Sequence, residues 1–398
     1  MSEKRKRIPE LDGIRTLMIF IVSWYHIWQQ SWLRPAIGSY SLDWLVRSGY
    51  VWVDGTVLLS AFLLFLPYAE AMRGRLPAPD TRAFYYRRAR RILPGYYFII
   101  FATLLGVAIP WKLYDSPQYL VKDLATHLTF TFPFFQDTYI STPLGAACWT
   151  LAIEVQAYAL FPLIARGVMK KPALTLGAMG AVCFGFRAWC IWALPDYSLV
   201  VNQLINFLDV YVIGILAAMA YVRLRRKADE TEARNSRRKY VRQALATAVF
   251  AGVLFGLVRL LRFQASSGEY VLIQERQMIY RPAYALCFAG LVLSAPFALL
   301  PLRKLLGNPV MKFLGGVSMN YYLIHQTVIV HLKRIGVPAS ASATPHFDGE
   351  QPWQNQYTLL SFTISLALAI LVTYLIEKPA ARLMDRLRER NASGPAGR

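Results

Sequence analysis

Cysteine and acidic residues are scarce in this 398-residue chain, and each shortage excludes a class of protein. The four cysteines form no Cys-x-x-Cys pair, so they are expected to be packing residues, with neither a disulfide framework nor a metal site. Aspartate and glutamate total 23 against 44 lysines and arginines, which gives a net charge of +21. Hydrophobic residues make up 56% of the chain, which argues against an ordinary soluble protein.

Apolar stretches of about twenty residues are abundant, and each is long enough to cross a hydrocarbon core about 30 Å thick. They predict an all-α fold class, a polytopic transmembrane helix bundle of about ten helices. The predicted spans are 14–33, 45–68, 92–109, 146–165, 172–194, 201–222, 241–262, 278–300, 311–333 and 357–377.

The basic residues are distributed unevenly among the segments that connect these spans. If the chain starts inside, 33 of the 44 lysines and arginines fall in inner segments. This bias follows the positive-inside rule and predicts a cytoplasmic-membrane protein with both termini in the cytoplasm, where its basic surface contacts anionic lipid. Segments 110–145 and 334–356 are then outside, and the charged inner loop 223–240 is either a helical hairpin or flexible. The charge is explained by topology, so no nucleic-acid partner is expected.

No cleavage site follows the first apolar run, so an uncleaved first helix is expected. No soluble domain and no internal repeat are visible in the sequence. The prediction is one transmembrane domain over residues 1–379 and a short basic cytoplasmic tail over 380–398.

Ionisable residues inside predicted spans are costly and therefore informative. His26, Glu154 and His325 come out at similar depth, where a carboxylate and imidazoles could handle protons. Each can also be structural: a histidine that joins helices, or an ion pair of Glu154 with Arg187. Arg15 precedes His26 by eleven residues, about three helical turns, which places both on one helix face and favours a functional His26. The other histidines, His127, His331 and His346, are predicted in loops or at a helix end, where a structural role is favoured.

The run "RAFYYRRARRILPGYY" (82–97) begins with Arg82 and places four further arginines, Arg87, Arg88, Arg90 and Arg91, at the predicted cytoplasmic mouth of the third span. One interpretation is membrane anchoring, with the tyrosines in the interfacial belt. The other is a phosphate site, because arginine forks bind phosphate groups bidentately. The composition of the run favours neither of these two interpretations.

Several segments, in order along nearly the whole chain, resemble motifs of the acyltransferase-3 family of integral-membrane acyltransferases. Two departures lie on the second span: Asp54-Gly55-Thr56 stands where the family has an aromatic pair, and Ala61 stands where it has Gly in Ser-Gly-Phe. The pocket near this helix is therefore expected to be atypical. Because the chain ends soon after the last span, no fused extracytoplasmic hydrolase-like domain is expected. The resembling segments are "RIPELDGIRTLMIFIVSWYH" (with Arg15 and His26), "YVWVDGTVLLSAFLL" (Asp54 and Ser60), "RRARRILP" (Arg88 and Arg91), "CWTLAIEVQAYALFPLI" (Trp149 and Glu154), "SMNYYLIHQ" (His325) and "LIEKPAARL".

The resemblance implies transfer of an acyl group, acetyl in the simplest case, from cytosolic acyl-CoA to a hydroxyl of an extracytoplasmic or lipid-linked glycan. Arg88 and Arg91 would hold the CoA phosphates. His26 would act as general base, with Arg15 and Glu154 positioning donor and imidazole. Asp54, Ser60, Trp149 and His325 would support the substrate or the structure.

Two alternatives stay open on the sequence. The acceptor can be a small glycosylated molecule such as an antibiotic. A proton-coupled transporter or flippase would also have about ten helices with intramembrane charges. The arginine cluster and the lack of a visible inverted repeat favour the enzyme.

Overall fold

The computed structural model of the protein describes residues 7–74, 77–232 and 236–392. This part of the chain is almost wholly helical, with one antiparallel ribbon of β1 (Ala36–Ile37) and β2 (Tyr40–Ser41). Ten of its helices are 20 to 30 residues long and correspond in order to the predicted spans, which confirms the all-α polytopic fold class. The helices are α1 (Pro9–Ser31), α2 (Asp43–Arg47), α3 (Trp52–Ala71), α4 (Thr81–Thr103), α5 (Pro117–Leu128), α6 (Gln136–Tyr139), α7 (Trp149–Lys170), α8 (Pro172–Ala193), α9 (Leu208–Glu232), α10 (Ser236–Ala265), α11 (Tyr270–Ser294), α12 (Leu300–Leu306), α13 (Pro309–Arg334), α14 (Gln351–Leu371) and α15 (Lys378–Ala392).

Eight helical segments in the described ranges are long and apolar enough to cross a membrane. The two other long helices are α1 and α13, which carry His26 and His325. Polar side chains lower the hydropathy of both helices. A membrane bundle tolerates such side chains where they face other helices rather than lipid.

Contacts divide the chain into two compact units, each assembled from separate stretches of sequence. The prediction of a single domain over residues 1–379 stays a prediction. Unit 1 comprises Met1–Trp28, Arg34–Pro79 and Leu160–Gly316, and unit 2 comprises Gln29–Leu33, Asp80–Ala159 and Val317–Arg398.

Helix α3 is at the centre of unit 1, and small residues bring its neighbours close. A Cβ added to Gly214 of α9 would lie 2.7 Å from the Ala61 Cβ on α3. A Cβ added to Gly55 of α3 would lie 2.5 Å from the Met18 sulfur on α1. Both α9 and α1 therefore pack directly on α3.

In unit 2, α4 packs against α13, and α13 is hydrogen-bonded to the π-helical segment Val372–Glu377 between α14 and α15. A Cβ added to Gly95 of α4 would lie 2.5 Å from the Asn320 Oδ1 on α13. Asn320 Nδ2 donates to the Thr373 hydroxyl at 2.8 Å and to the Glu377 carboxylate at 2.6 Å. These hydrogen bonds fix the position of α13 against that segment.

Three boundaries differ from the sequence-based expectation or refine it. Helix α4 begins at Thr81, not at 92, because the Asp80 carboxylate accepts from the Ala83 N–H at 2.6 Å and caps the helix. The basic run is therefore part of the helix. The charged loop 223–240 is helical up to Glu232 and again from Ser236, which favours the hairpin interpretation. The predicted tail is helical in α15, and its residues 393–398 lie outside the described part.

The predicted topology can be tested with single cysteines at exposed positions. In a cysteine-free background, Gln118→Cys and Ala341→Cys should react with an impermeant maleimide added to intact cells. Lys227→Cys should react only after permeabilisation. If Lys227→Cys were labelled in intact cells and the other two variants were not, the topology would be the opposite of the predicted one.

Candidate active site

Arg15 and His26 lie on α1 in unit 1, and both side chains are half-buried. Their spacing places them on one helix face, about 16 Å apart along the axis. The His26 ring centroid lies 5.1 Å from that of Tyr25, which packs edge-on against Tyr50 at 5.2 Å. Gly49 permits this approach, since a Cβ there would lie 2.6 Å from the Tyr25 Cβ. Close packing thus fixes the turn of α1 that carries His26.

Asp54 of α3 forms a completely buried ion pair with Arg281 of α11. The Asp54 Oδ1 and Arg281 Nε atoms are 3.3 Å apart, and both side chains are 0% exposed. Arg281 Nη1 also donates to the carbonyls of Val201 and Asn206, each at 3.0 Å, and its guanidinium lies over the Phe207 ring. These contacts favour the supporting role predicted for Asp54.

A second buried ion pair joins Arg187 of α8 to Asp209 of α9, with 2.7 Å between Nη2 and Oδ1. Arg187 also donates to the Asn206 side chain at 2.7 Å and to the Asn206 carbonyl at 2.6 Å. The Asn206 carbonyl thus links this pair to Arg281. The acidic partner of Arg187 is Asp209, not the Glu154 considered from the sequence.

In unit 2, Arg88 of α4 lies against side chains of α7. Its Cζ is 5.7 Å from the Tyr158 ring centroid and 5.8 Å from that of Phe84. Tyr158 donates its hydroxyl to Glu154 at 2.7 Å, and Arg88 interacts electrostatically with Glu154. The Arg88 Nε is buried and has no hydrogen-bond partner among the described residues. A half-buried cation with a buried, unused donor is suited to an anionic group of a ligand.

The other arginines of the basic run have different surroundings. Arg90 forms an ion pair with Asp385 of α15 at 2.6 Å, which anchors the C-terminal helix. Arg87 and Arg91 are exposed. Arg90 therefore has a structural contact, whereas Arg88 has the geometry of a binding residue; membrane anchoring and phosphate binding by the cluster both stay predictions. The role of Arg91 as a phosphate ligand stays a prediction.

His325 of α13 is completely buried, and its Nδ1 lies 2.6 Å from the Tyr322 carbonyl. A neutral ring that donates from Nδ1 keeps a lone pair on Nε2, the form that a general base needs. Tyr322 also interacts electrostatically with Glu154 of α7, so it neighbours both residues. Trp149, the first residue of α7, is half-buried.

A cavity of about 320 Å³ lies in unit 2, near the end of α4 that is remote from Arg88. It is at the small end of the range of ligand pockets, about 300–1,000 Å³. Two of its polar atoms, Thr327 Oγ1 and His331 Nδ1, are buried without a hydrogen-bond partner in the described structure. Such groups suit a ligand with several hydroxyls. The polar lining residues are Ser141, Thr142, Gln326, Thr327, His331 and Arg334.

His127 lies in the last turn of α5, which agrees with the predicted position at a loop or helix end, and its side chain is completely buried. Its Nδ1 is 2.8 Å from the Asp123 carbonyl and 3.2 Å from the Asp123 Oδ1. Its ring stacks on Phe132 with 4.0 Å between centroids. Asp123 Oδ2 accepts from Tyr114 at 2.8 Å and Thr142 at 2.9 Å. This cluster holds Thr142 in place at the cavity.

The structure brings some predicted site residues together within a unit. Arg88 and Glu154 meet in unit 2, and Arg15 and His26 share α1 in unit 1. Ser60 lies half-buried on α3. No group of three or more His, Cys, Asp or Glu in the described ranges is arranged to hold a metal ion.

Three residues of these clusters, Arg281, Tyr158 and Tyr322, are not among the site residues predicted from the sequence. Arg281 could have been identified from the sequence, because it is an ionisable residue inside the predicted span 278–300. Tyr158 could also have been identified, because it follows Glu154 by four residues and so shares its helix face. No sequence feature identifies Tyr322, because a tyrosine among apolar residues is common in membrane helices.

The sequence of the chain matches a family of known proteins. A family model described as "Acyltransferase domain" (acyltransferase-3) matches residues 8–378. The chain is 22% identical over 386 residues to a Staphylococcus aureus (strain COL) protein named "Putative O-acetyltransferase", with 92% of this chain and 56% of that protein covered. It is 26% identical over 191 residues to a peptidoglycan O-acetyltransferase of Listeria monocytogenes, with 43% and 27% covered.

A third relative is a Bacillus subtilis (strain 168) protein named "Putative peptidoglycan O-acetyltransferase". It is 27% identical over 182 residues, with 43% of this chain and 26% of that protein covered. The chain thus covers 56% or less of the length of each of these three relatives. No solved structure matches the chain.

Proposed function

Because the chain belongs to the acyltransferase-3 family of membrane acyltransferases, we propose that it transfers an acyl group from acyl-CoA to a hydroxyl of a glycan. The family and the relatives support a membrane O-acyltransferase. The acyl-CoA donor, acetyl in the simplest case, and the extracytoplasmic or lipid-linked glycan acceptor are the proposal. The placement in the cytoplasmic membrane, with both termini inside, is also part of the proposal. Two of the named relatives are peptidoglycan O-acetyltransferases, which supports a glycan acceptor.

The observation that carries the donor assignment is the environment of Arg88. Its guanidinium is held between two aromatic rings and has a buried, unused Nε donor. A CoA phosphate can fill this position with a charge-assisted hydrogen bond. The exposed Arg91, one turn further along α4, would contact a second phosphate. Glu154 would then position the donor through Arg88.

The cavity in unit 2 supports a separate acceptor site. Val107, close to the C-terminal end of α4, lines the cavity, and it follows Arg88 by nineteen residues. At about 1.5 Å per residue the two positions are roughly 28 Å apart, close to the thickness of a hydrocarbon core. A donor anchor on one side and a polar cavity on the other suit transfer across the membrane.

In the proposed chemistry, His26 accepts the proton of the acceptor hydroxyl as its oxygen attacks the thioester carbonyl carbon. The carbon–oxygen bond forms, the carbon–sulfur bond breaks, and the CoA sulfur leaves with the electron pair. The imidazolium then returns the proton to the sulfur, so that the products are the ester and free CoA. Arg15 keeps its predicted positioning role. Asp54, Ser60, Trp149 and His325 keep their supporting roles.

Replacing Arg88 tests the donor site. Arg88→Ala should raise the KM for acyl-CoA about ten- to a hundredfold, because each lost charge-assisted contact is worth about 1.5–3 kcal/mol. Arg91→Ala should act in the same direction. The matched control is Arg87→Ala, which removes an adjacent exposed arginine and should leave KM nearly unchanged. Steady-state kinetics of the purified proteins provide the measurement.

An unchanged KM in a well-folded Arg88→Ala, Arg91→Ala double variant would assign the cluster to membrane anchoring. An equal increase in KM for Arg87→Ala would show that the effect is only one of net surface charge.

A further inference from the structure

Unit 1 contains a cavity that the proposed transfer reaction does not use. It has a volume of about 230 Å³ and is lined by three segments that are far apart in sequence. The charged residues of the lining all fall in segments predicted on the inner side of the membrane, so their meeting at one cavity agrees with the predicted grouping. Four arginines line it, together with two acidic residues, so the lining carries a net positive charge. The charged lining residues are Arg7, Glu10, Arg225, Asp229, Arg242 and Arg303.

Two of the arginines are already neutralised by carboxylates. Arg303 Nε lies 2.8 Å from the Glu10 carboxylate, and Arg7 Nε lies 2.7 Å from the Asp12 carboxylate. Since a guanidinium has five N–H donors, both arginines keep donors for a ligand. Their carboxylate partners hold them in place.

The other two arginines, Arg242 and Arg225, have no such carboxylate partner among the ion pairs of the described residues. Arg242 Nη1 donates to the Ala228 carbonyl at 2.9 Å, which fixes its guanidinium between α10 and α9. Its Nε is buried and has no hydrogen-bond partner in the described ranges. Arg225 lies one turn from Tyr221 on α9 and interacts with its hydroxyl. Against these two cations the cavity offers only Asp229.

We propose that this cavity is a phosphate-binding site, with Arg242 and Arg225 as its principal ligands. Planar guanidinium forks match the oxygens of a phosphate group, and a buried donor without a partner has most to gain from such a ligand. A phosphate monoester or diphosphate is the ligand class. It can come from a soluble phosphorylated nucleotide or from the headgroup of an anionic phospholipid. The site is separate from the Arg88 cluster of unit 2 and does not depend on the transfer reaction.

Two binding measurements on the full-length protein distinguish these sources. In the first, adenosine 3′,5′-bisphosphate is titrated into detergent-solubilised protein by calorimetry. In the second, thermal stability is compared in nanodiscs of phosphatidylcholine with and without phosphatidic acid. Binding in the first that persists in Arg88→Ala and is weakened in Arg225→Glu identifies a nucleotide site at this cavity. Stabilisation by phosphatidic acid alone identifies a lipid site.

The variants are Arg242→Gln and Arg225→Glu. Each should weaken binding of the phosphate ligand about ten- to a hundredfold, the usual effect of losing a charge-assisted contact. Arg225→Glu is included because Arg242→Gln also removes the bond to Ala228 and can loosen the hairpin of α9 and α10. The matched control is Arg226→Gln, an adjacent, exposed arginine paired with Glu230, which should bind like the wild type. Arg88→Ala should also retain binding at this site.

The proposal is overturned if neither ligand binds the wild-type protein. It is also overturned if the folded Arg225→Glu variant binds as tightly as Arg226→Gln. Because binding in Arg225→Glu is compared with binding in Arg88→Ala, failure at this cavity is distinguished from failure of the proposed donor site in unit 2. Conversely, loss of transfer with intact binding at this cavity would count only against the transfer mechanism.

Discussion

His26→Ala should lower kcat at least about a hundredfold and leave acyl-CoA binding nearly intact, because a general base typically contributes about 10² to 10⁴ in rate. His26 is half-buried on a turn of α1 that is packed closely through Tyr25. Its removal should therefore affect the chemical step more than the fold. Single-turnover kinetics with labelled donor separate these effects.

His26→Gln and His26→Asn give a sharper test of the same role. An amide keeps a hydrogen-bonding group at this position but cannot take a proton near pH 7. If His26 is the base, both amide variants should be as inactive as alanine. If it only joins helices, they should keep much of the activity, and alanine should mainly lower thermal stability.

The matched comparison is His325→Gln in unit 2. His325 is completely buried and has its Nδ1 at the Tyr322 carbonyl, and it was predicted at a depth similar to that of His26, so it is the next candidate for the base. Near-normal turnover in His26→Gln together with an inactive, folded His325→Gln would transfer the role of base to His325.

Arg281→Met should cause the largest loss of stability among the variants considered, about 3–5 kcal/mol, because it leaves the Asp54 carboxylate buried without its cation. It also removes the donors to the Val201 and Asn206 carbonyls. The double variant Asp54→Asn, Arg281→Met should recover part of the loss, because no uncompensated charge remains. Thermal unfolding of the purified proteins in one detergent measures both effects.

An exposed ion pair provides the control for this experiment. Arg226 and Glu230 lie 2.8 Å apart on α9, with side chains 62% and 57% exposed. Arg226→Met should cost less than about 1 kcal/mol, the usual value for a solvent-exposed pair. If Arg281→Met lowered stability no more than Arg226→Met does, the buried ion pairs of unit 1 would not stabilise the fold.

The helices could be predicted from sequence because the bilayer imposes a length and an apolar composition on each span. The early start of α4 could have been found as well, since Asp80 is a capping residue directly before the basic run. In contrast, the choice of Asp209 over Glu154 as the partner of Arg187 depends on which helices become neighbours. Single-sequence patterns do not contain that information.

The candidate site shows the same division between local and long-range information. The Arg15–His26 spacing and the Glu154–Tyr158 spacing are properties of one helix, so they can be read from the sequence. Which of four similar arginines turns inward depends on the aromatic rings of Phe84 and Tyr158. Phe84 precedes Arg88 by one turn, but the position of Tyr158 on another helix is a long-range contact.

Acyl transfer from acyl-CoA to a hydroxyl can be measured in a reconstituted membrane. Purified protein is reconstituted in liposomes with acetyl-CoA labelled in the acyl group, added on the side that exposes Arg88, and a peptidoglycan glycan fragment on the other side. We expect the label to appear as an alkali-labile ester on the fragment with equimolar release of free CoA, and both to stop in His26→Gln. If folded protein forms no ester and releases no CoA, and instead moves a solute across the same liposomes coupled to protons, the protein is a transporter and not an acyltransferase.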